Sequence, residues 1–168
     1  MANLIAIMGT SGFGKTTSLL PNPEFGIKGL NPEETFIINV SGKPLPGKGT
    51  MRLYPIDNRK LSEGKNHIIL TSPDEIANLC KAISDTPKIK NLVIDDCGYI
   101  MGFDVIENAN KRNYDKWTAL AVNFMKVINA AKNARMDLNV IMMFHTEVGK
   151  DERIKIKTSG AMLDNNIY

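Results

Sequence analysis

The sequence predicts an α/β fold with a mainly parallel sheet flanked by helices. Short apolar runs of strand length alternate along the chain with segments of helical periodicity. Some of these runs, such as residues 4–8 and 140–144, are continuously apolar, which is typical of strands buried on both faces of a parallel sheet. A chain of 168 residues with 43% hydrophobic residues can bury one core, so we expect residues 1–168 to form a single domain.

The composition excludes several classes of protein. Cys80 and Cys97 lie in apolar stretches without metal-ligand spacing, which indicates buried thiols in a reducing compartment. No apolar run approaches the roughly 20 residues of a membrane helix, and the N-terminus lacks the parts of a signal peptide. We therefore expect a cytoplasmic protein with no membrane partner. The net charge of +3 permits a polyanionic partner without requiring one.

The first half of the chain begins with a strand at residues 4–8, followed by a Gly-rich segment. A short helix over residues 15–20 ends before Pro21, because proline disfavours helical geometry at the residue that precedes it. The β-branched run at residues 35–40 predicts a second strand. The Gly- and Pro-rich residues 42–47 end this strand and predict a loop.

The middle of the chain predicts a short strand at residues 67–71 and then a helix. Residues 72–75 read Ser-Pro-Asp-Glu, which combines an N-cap serine, proline at the first helical position and Glu at the third. The apolar residues from Ile76 to Ile83 recur with helical spacing, so this helix has one buried face. Residues 91–96 predict a further strand that ends in two carboxylates.

The last third of the chain predicts the longest helix and a strand pair. An apolar stripe of helical spacing runs over residues 117–131. Residues 138–144 predict a buried strand that ends at His145-Thr146-Glu147, and residues 149–152 predict a turn. Residues 153–157 alternate polar and apolar side chains, as a half-exposed strand does.

The Gly-rich segment matches the phosphate-loop motif G-x-x-x-x-G-K-[ST] in full, between the first strand and the first helix. In this motif backbone N–H groups converge on phosphate oxygens, the lysine reaches the β- and γ-phosphates, and the Thr hydroxyl binds Mg²⁺. A Gly-rich turn with a solvated lysine is the weaker interpretation. The sequence therefore predicts a P-loop NTPase that binds ATP or ADP with Mg²⁺. The predicted nucleotide-binding residues are Gly9, Thr10, Ser11, Gly12, Phe13, Gly14, Lys15, Thr16 and Thr17.

A nucleotide site of this kind needs a second acid at the end of a neighbouring strand to bind the metal ion. Asp95 follows an apolar strand, so we predict that Thr16 and Asp95 are the metal ligands, the alternative for Asp95 being a turn residue. Two interpretations of the role of Asp96 have equal weight. It either orients or deprotonates the attacking water, or it caps the loop that follows.

Two further polar residues follow the strand at residues 138–144. His145 is placed to sense the γ-phosphate, and a structural histidine is its alternative. Glu147 is a second candidate base, with a solvated loop carboxylate as its alternative. The predicted catalytic residues are Lys15, Asp96, His145 and Glu147.

Other residues separate the classes of P-loop protein. The segment 95–98 satisfies D-x-x-G, but the guanine-reading N-K-x-D is missing, since residues 110–113 end in Asn; a GTPase is therefore disfavoured. A small-molecule kinase needs clustered arginines in a lid, and the five arginines here are scattered. The kinase remains an unsupported alternative.

The chain resembles the RecA-like P-loop ATPases of bacteriophages, a family that includes single-strand annealing proteins. The resemblance spans nearly the whole chain, and the phosphate loop is its most specific motif. It rests on residues 4–16, 35–46, 92–96, 114–117 and 144–147.

This resemblance implies an ATPase that assembles into a homo-oligomer on single-stranded DNA, in phage recombination or replication. The segments 98–115 and 146–160 would then occupy the places of two DNA-facing loops, with a solvated loop and hairpin as the alternative. Lys155 or Lys157 could instead reach a neighbouring subunit's γ-phosphate. The candidate DNA contacts are Lys111, Arg112, Lys150, Arg153, Lys155 and Lys157.

Two departures from the family qualify that expectation. The family usually carries a catalytic Glu at the end of the strand after the phosphate loop, where residues 36–42 offer only Asn39 and Ser41. The family's fold also continues into further strands beyond the point reached at Tyr168, which suggests a truncated form or a minimal core. The missing Glu and the modest net charge of +3 motivate the alternative function, a nucleotide-regulated assembly or motor component with a protein target.

Overall fold

The computed structural model describes residues 1–58, 61–110, 113–149 and 152–159, with the backbone alone at 113–115. The strands in these ranges are β1 (Asn3–Gly9), β2 (Thr35–Asn39), β3 (His67–Ile69), β4 (Asn91–Asp95), β5 (Asn139–Val148) and β6 (Ile154–Ile156). The helices are α1 (Lys15–Leu19), α2 (Thr50–Leu53), α3 (Pro73–Ser84), α4 (Gly98–Glu107) and α5 (Asn113–Lys132), with 3₁₀ turns at Pro23–Phe25 and Pro32–Glu34.

The strands form one sheet in the order β1-β5-β4-β2-β3, all parallel, with β6 antiparallel to the end of β5. The predicted α/β class with a mainly parallel sheet flanked by helices is confirmed. The register pairs Gly9 with His145 and Asn39 with Asp95. The carboxyl ends of four strands therefore meet along one edge of the sheet, where open α/β sheets bind ligands.

Side chains from alternate strand positions build a core on each face of the sheet. The larger core packs the sheet against α3, α4 and α5, and it includes Phe36, Leu92 and Phe124. The smaller core lies on the opposite face and includes Ile37 and Tyr54. Among the described residues, no helix is both long enough and apolar enough to cross a membrane.

The expectation that the first strand is buried on both faces is wrong. β1 is an edge strand that pairs with β5, and its residues Leu4, Ile5 and Met8 are 41%, 41% and 52% exposed. A continuous apolar run therefore does not distinguish a central strand from an edge strand, because the strand order is set by contacts between distant parts of the chain.

The segment 98–115, expected to be a DNA-facing loop, begins with helix α4. Ile100 and Met101 of α4 are buried in the larger core, so packing forms a helix where Gly98 and Gly102 disfavour one. β5 also extends past the predicted strand end through His145 to Val148, because β6 pairs with its last residues. At α3, Ser72 is the N-cap residue as predicted, but its side chain makes no capping hydrogen bond.

Candidate functional site

The phosphate loop connects the carboxyl end of β1 to α1, as the sequence predicts. Gly12 and Gly14 have φ values of 81° and 80°, in the left-handed region that residues with a Cβ atom rarely adopt. These two glycines let the backbone turn sharply at the mouth of the loop. Phe13 between them is 82% exposed at the loop surface.

Lys15 turns back over its own loop. Its Nζ donates hydrogen bonds to the carbonyl oxygens of Gly9 at 2.9 Å and Thr10 at 3.0 Å. The same Nζ lies 3.4 Å from Nδ1 of His145. The ammonium group is therefore held at the mouth of the loop, next to the end of β5.

Thr16 and Asp95 form the closest contact between the phosphate loop and β4. The Thr16 hydroxyl lies 3.1 Å and 3.0 Å from the two carboxylate oxygens of Asp95. Asp95 is only 6% exposed. Burial raises the pKa of Asp95 to about 6, with the neighbouring Asp96 charge acting in the same direction and the Thr16 hydrogen bond against it. The fold thus brings the two predicted metal ligands together.

Asp96 follows directly and has a φ of 59°, a left-handed conformation that costs free energy in a residue with a side chain. Its Oδ1 lies 3.0 Å from Nε2 of His145. Because Lys15 can only donate, Nδ1 of His145 accepts, and the ring proton on Nε2 is donated to Asp96. Lys15, His145 and Asp96 therefore form one hydrogen-bonded chain beside the phosphate loop.

Lys43 and Tyr99 belong to the same cluster and were not predicted as site residues. Lys43 Nζ lies 4.0 Å from Oδ2 of Asp96 and donates a hydrogen bond of 3.2 Å to the Tyr99 hydroxyl. That hydrogen bond is the main cause of the raised pKa of Lys43. The sequence signal for Lys43 was its place after β2, a strand whose carboxyl end adjoins that of β4.

Asn39 is the last residue of β2 and Ser41 follows two residues later, at the place where the sequence offers no carboxylate. The buried Asn39 amide donates to the Lys43 carbonyl at 2.7 Å and accepts from the Gly42 backbone N–H at 2.9 Å. Ser41 also donates to Asn39, at 3.3 Å. Asn39 is therefore occupied in shaping the loop that follows it.

Glu147 lies farther along β5 and pairs with Lys155 of β6 at 3.5 Å. Lys157, just after β6, lines a cleft of about 460 Å³ together with Ser11, Tyr99 and His145. The β5–β6 hairpin thus contributes one wall of a cleft at the phosphate loop. Of the candidate DNA contacts, Lys111, Arg112 and Lys150 lie outside the described residues.

Comparison with known proteins adds little to this geometry. No protein-family model matches the chain, and a search of curated proteins finds no match. Among solved structures, the chain is similar to a KaiC-like protein from the hyperthermophilic archaeon Pyrococcus horikoshii OT3, with 16% sequence identity and a TM-score of 0.46. The match covers 85% of this chain and 61% of that protein, so the chain spans less than two thirds of its length.

The class of the protein follows from its own fold and loop. A parallel α/β sheet carries a complete phosphate loop between its first strand and first helix, with an acidic residue from a second strand against the loop threonine. These features define a protein of the P-loop class.

Proposed function

We propose that this chain is a P-loop ATPase that binds ATP with Mg²⁺ at residues 9–17. The observation that carries the proposal is the contact of the Thr16 hydroxyl with both oxygens of Asp95, at 3.1 and 3.0 Å, beside the ammonium group of Lys15. In this proposal Lys15 leaves the Gly9 and Thr10 carbonyls and binds the β- and γ-phosphates. The loop backbone binds the remaining phosphate oxygens.

The chemistry of Thr16 and Asp95 fits Mg²⁺. Both supply the hard oxygen ligands that this ion prefers, and neighbouring ligands of an octahedral Mg²⁺ lie about 3 Å apart. Among the described residues there is no group of three or more His, Cys, Asp and Glu side chains that could hold a metal ion. Thr16 and Asp95 would hold the ion together with phosphate oxygens and water, and the ion would supply charge neutralisation on the phosphates.

The cluster around Asp96 is proposed to act on the attacking water. Asp96 accepts from His145 through Oδ1, which leaves lone pairs on the carboxylate for a water proton. His145 touches both Lys15 and Asp96, so it is placed to link phosphate binding to the position of Asp96. Glu147 is the second candidate base, and its ion pair with Lys155 makes it the weaker one.

The environment of Asn39 favours slow hydrolysis. Its amide is engaged with Gly42 and Lys43, so the end of β2 supplies neither a carboxylate nor a free amide to polarise water. This observation supports the alternative function, a nucleotide-gated assembly component whose target is another protein.

The proposed partner of the favoured function is single-stranded DNA, bound by a homo-oligomer in phage recombination or replication. The support is the position of Lys157, which lines the cleft beside Ser11 and His145 on a hairpin that also carries Arg153 and Lys155. Basic side chains there can neutralise DNA phosphates next to the nucleotide.

Replacing Lys15 with Ala tests the nucleotide site. Because the variant loses the ammonium group held at the loop mouth, we expect ATP affinity to fall at least about a hundredfold, measured by titration with a fluorescent ATP analogue in Mg²⁺. Lys28→Ala, at an exposed position outside the loop, is the control. Unchanged affinity in Lys15→Ala would refute the proposed site.

The DNA partner is tested by measuring ATP hydrolysis with and without single-stranded DNA at two salt concentrations. Stimulation by DNA that weakens at the higher salt supports the recombination-type ATPase, because phosphate contacts release counterions. Tight ATP binding with negligible hydrolysis that DNA does not change supports the assembly component instead.

A further inference from the structure

The loop that follows β2, residues 41–49, is shaped by a buried amide. Asn39 is 1% exposed, and its side chain bonds the backbone of Gly42 and of Lys43. Its Nδ2 also lies 3.3 Å from Nε2 of the buried His67. The start of the loop is therefore held by contacts that reach into the core, and its backbone delivers Lys43 to a defined place.

The Lys43 ammonium group lies on the side of the Asp96 carboxylate away from His145. Lys43 Nζ lies 4.0 Å from Oδ2, while Nε2 of His145 lies 3.0 Å from Oδ1. The Tyr99 side chain supports both groups. Its hydroxyl accepts from Lys43, its ring lies 5.0 Å below the ammonium group, and its ring meets His145 edge-on at 6.2 Å between centroids.

We infer that Lys43 is a positioning residue, which fixes the rotation of the Asp96 carboxylate so that one oxygen stays on His145 and the other faces Lys43. This inference deepens the proposed ATPase function and rests on it. The terminal torsion of an aspartate is broad, so a carboxylate held at one oxygen alone samples many orientations. A close contact with His145 at one oxygen and the positive charge of Lys43 at 4.0 Å from the other restrict that motion, and orientation of a catalytic group contributes strongly to rate.

The ion pair is partly exposed, with side-chain exposures of 61% for Lys43 and 14% for Asp96. If Lys43 had only a structural role, its replacement would therefore have little effect. Exposed pairs contribute little to folding, and we expect Lys43→Met to change the melting temperature by less than about 2 °C. Its effect on catalysis is expected to be larger, between about ten- and a hundredfold in kcat, with the ATP dissociation constant unchanged within about twofold.

The kinetic test compares four proteins: wild type, Lys43→Met, Lys43→Arg and Lys48→Met. Arg keeps the charge and the donors, so it is expected to restore most of kcat. Lys48 lies exposed in the same loop, and Lys48→Met is expected to match wild type. Wild-type kcat in Lys43→Met overturns the inference, whereas absence of ATP binding in wild type overturns the proposed function.

A second measurement needs neither nucleotide nor turnover. The chain has two histidines, His67 and His145, so ring ¹⁵N spectra contain two sets of signals. In the nucleotide-free protein we expect Lys43→Met to shift or broaden the His145 signals as Asp96 gains freedom, while the His67 signals stay in place. Unchanged His145 signals overturn the positioning role; if kcat nevertheless falls, Lys43 acts on the phosphates directly.

Discussion

Asp95, a proposed metal ligand, lowers the stability of the nucleotide-free fold at neutral pH. Its carboxylate is buried at the end of β4, and burial raises its pKa to about 6. The folded pKa lies above the unfolded value near 4, so this group stabilises the fold only at low pH. That contribution is lost as the pH rises from about 4 through about 6. At neutral pH the ionised carboxylate therefore destabilises the nucleotide-free chain.

Replacing Asp95 with Asn is expected to act in opposite directions on stability and on binding. At pH 7.5 in EDTA the nucleotide-free variant should be more stable by about 1 to 3 kcal/mol, measured by urea unfolding, because the buried charge is removed. Its ATP affinity in Mg²⁺ should fall at least about tenfold, because a metal ligand is lost.

Glu24→Gln provides the control, because it removes one charge from an exposed side chain. It should change neither the stability nor the ATP affinity. The stability gain of Asp95→Asn should also vanish below about pH 4, where the aspartate is protonated in both states. A variant that is less stable at neutral pH and still binds ATP in a Mg²⁺-dependent way would contradict both the burial argument and the metal role.

At the level of helices and strands, Arg135 joins α3 to the segment after α5. Its guanidinium donates to the carbonyls of Ile83 at 2.8 Å and of Ser84 and Thr86 at 3.1 Å, and it also bonds the Ile89 carbonyl. These carbonyls include the end of α3 and the turn before β4. One side chain therefore joins the end of α3 to the turn before β4, together with the backbone hydrogen bonds from Thr86 to Ile83 and from Ile89 to Thr86.

Arg135→Met is expected to lower the free energy of unfolding by about 2 to 4 kcal/mol, because several partly buried carbonyls lose a charged donor together. Arg135→Lys should recover only part of this loss, since an ammonium group cannot reach the same fork of acceptors. Chemical denaturation measures both. Arg52→Met, at an exposed side chain on α2, should stay within about 0.5 kcal/mol of wild type, and an equal loss there would show that the effect is not specific.

Across the whole molecule, we expect the acid stability of the fold to depend on His67, a histidine in its interior. His67 is 1% exposed at the start of β3, and its Nε2 faces the Asn39 amide of β2. Burial lowers the pKa of His67, and the Tyr54 backbone acts in the opposite direction. Because the folded pKa lies below the unfolded value of about 6.5, His67 stabilises the fold above that pH. The contribution is lost as the pH falls through the folded pKa.

His67→Gln should therefore make the stability less dependent on pH between 7 and 5. One titrating group changes the free energy of unfolding by at most about 1.4 kcal/mol per pH unit. Urea unfolding of wild type and variant at several pH values measures the difference between them, in which the other titrating groups cancel. Parallel pH profiles for the two proteins would show that His67 does not carry the effect.

Much of the fold was predictable because it is encoded locally. Continuous apolar runs placed five of the strands, and helical periodicity placed α3 and α5. Helix α4 was missed because its two glycines disfavour a helix, and burial of Ile100 and Met101 overrides that preference. The exposure of β1 was missed because a sequence pattern reports apolarity and not which strand lies beside which.

The candidate site also combines features that the local sequence encodes with features that depend on the folded chain. The phosphate loop was readable because its glycines, lysine and threonine are adjacent in sequence and each position has a steric or chemical requirement. The amino-acid sequence thus established the fold class, the loop and the candidate strand-end acids. The contact of Thr16 with Asp95 joins residues 79 positions apart, and Lys43 reaches Tyr99 across 56 positions. Such pairings arise from strand order and register, which depend on packing over the whole chain, so the arrangement of Lys43, Asp96 and His145 emerged only in the folded structure.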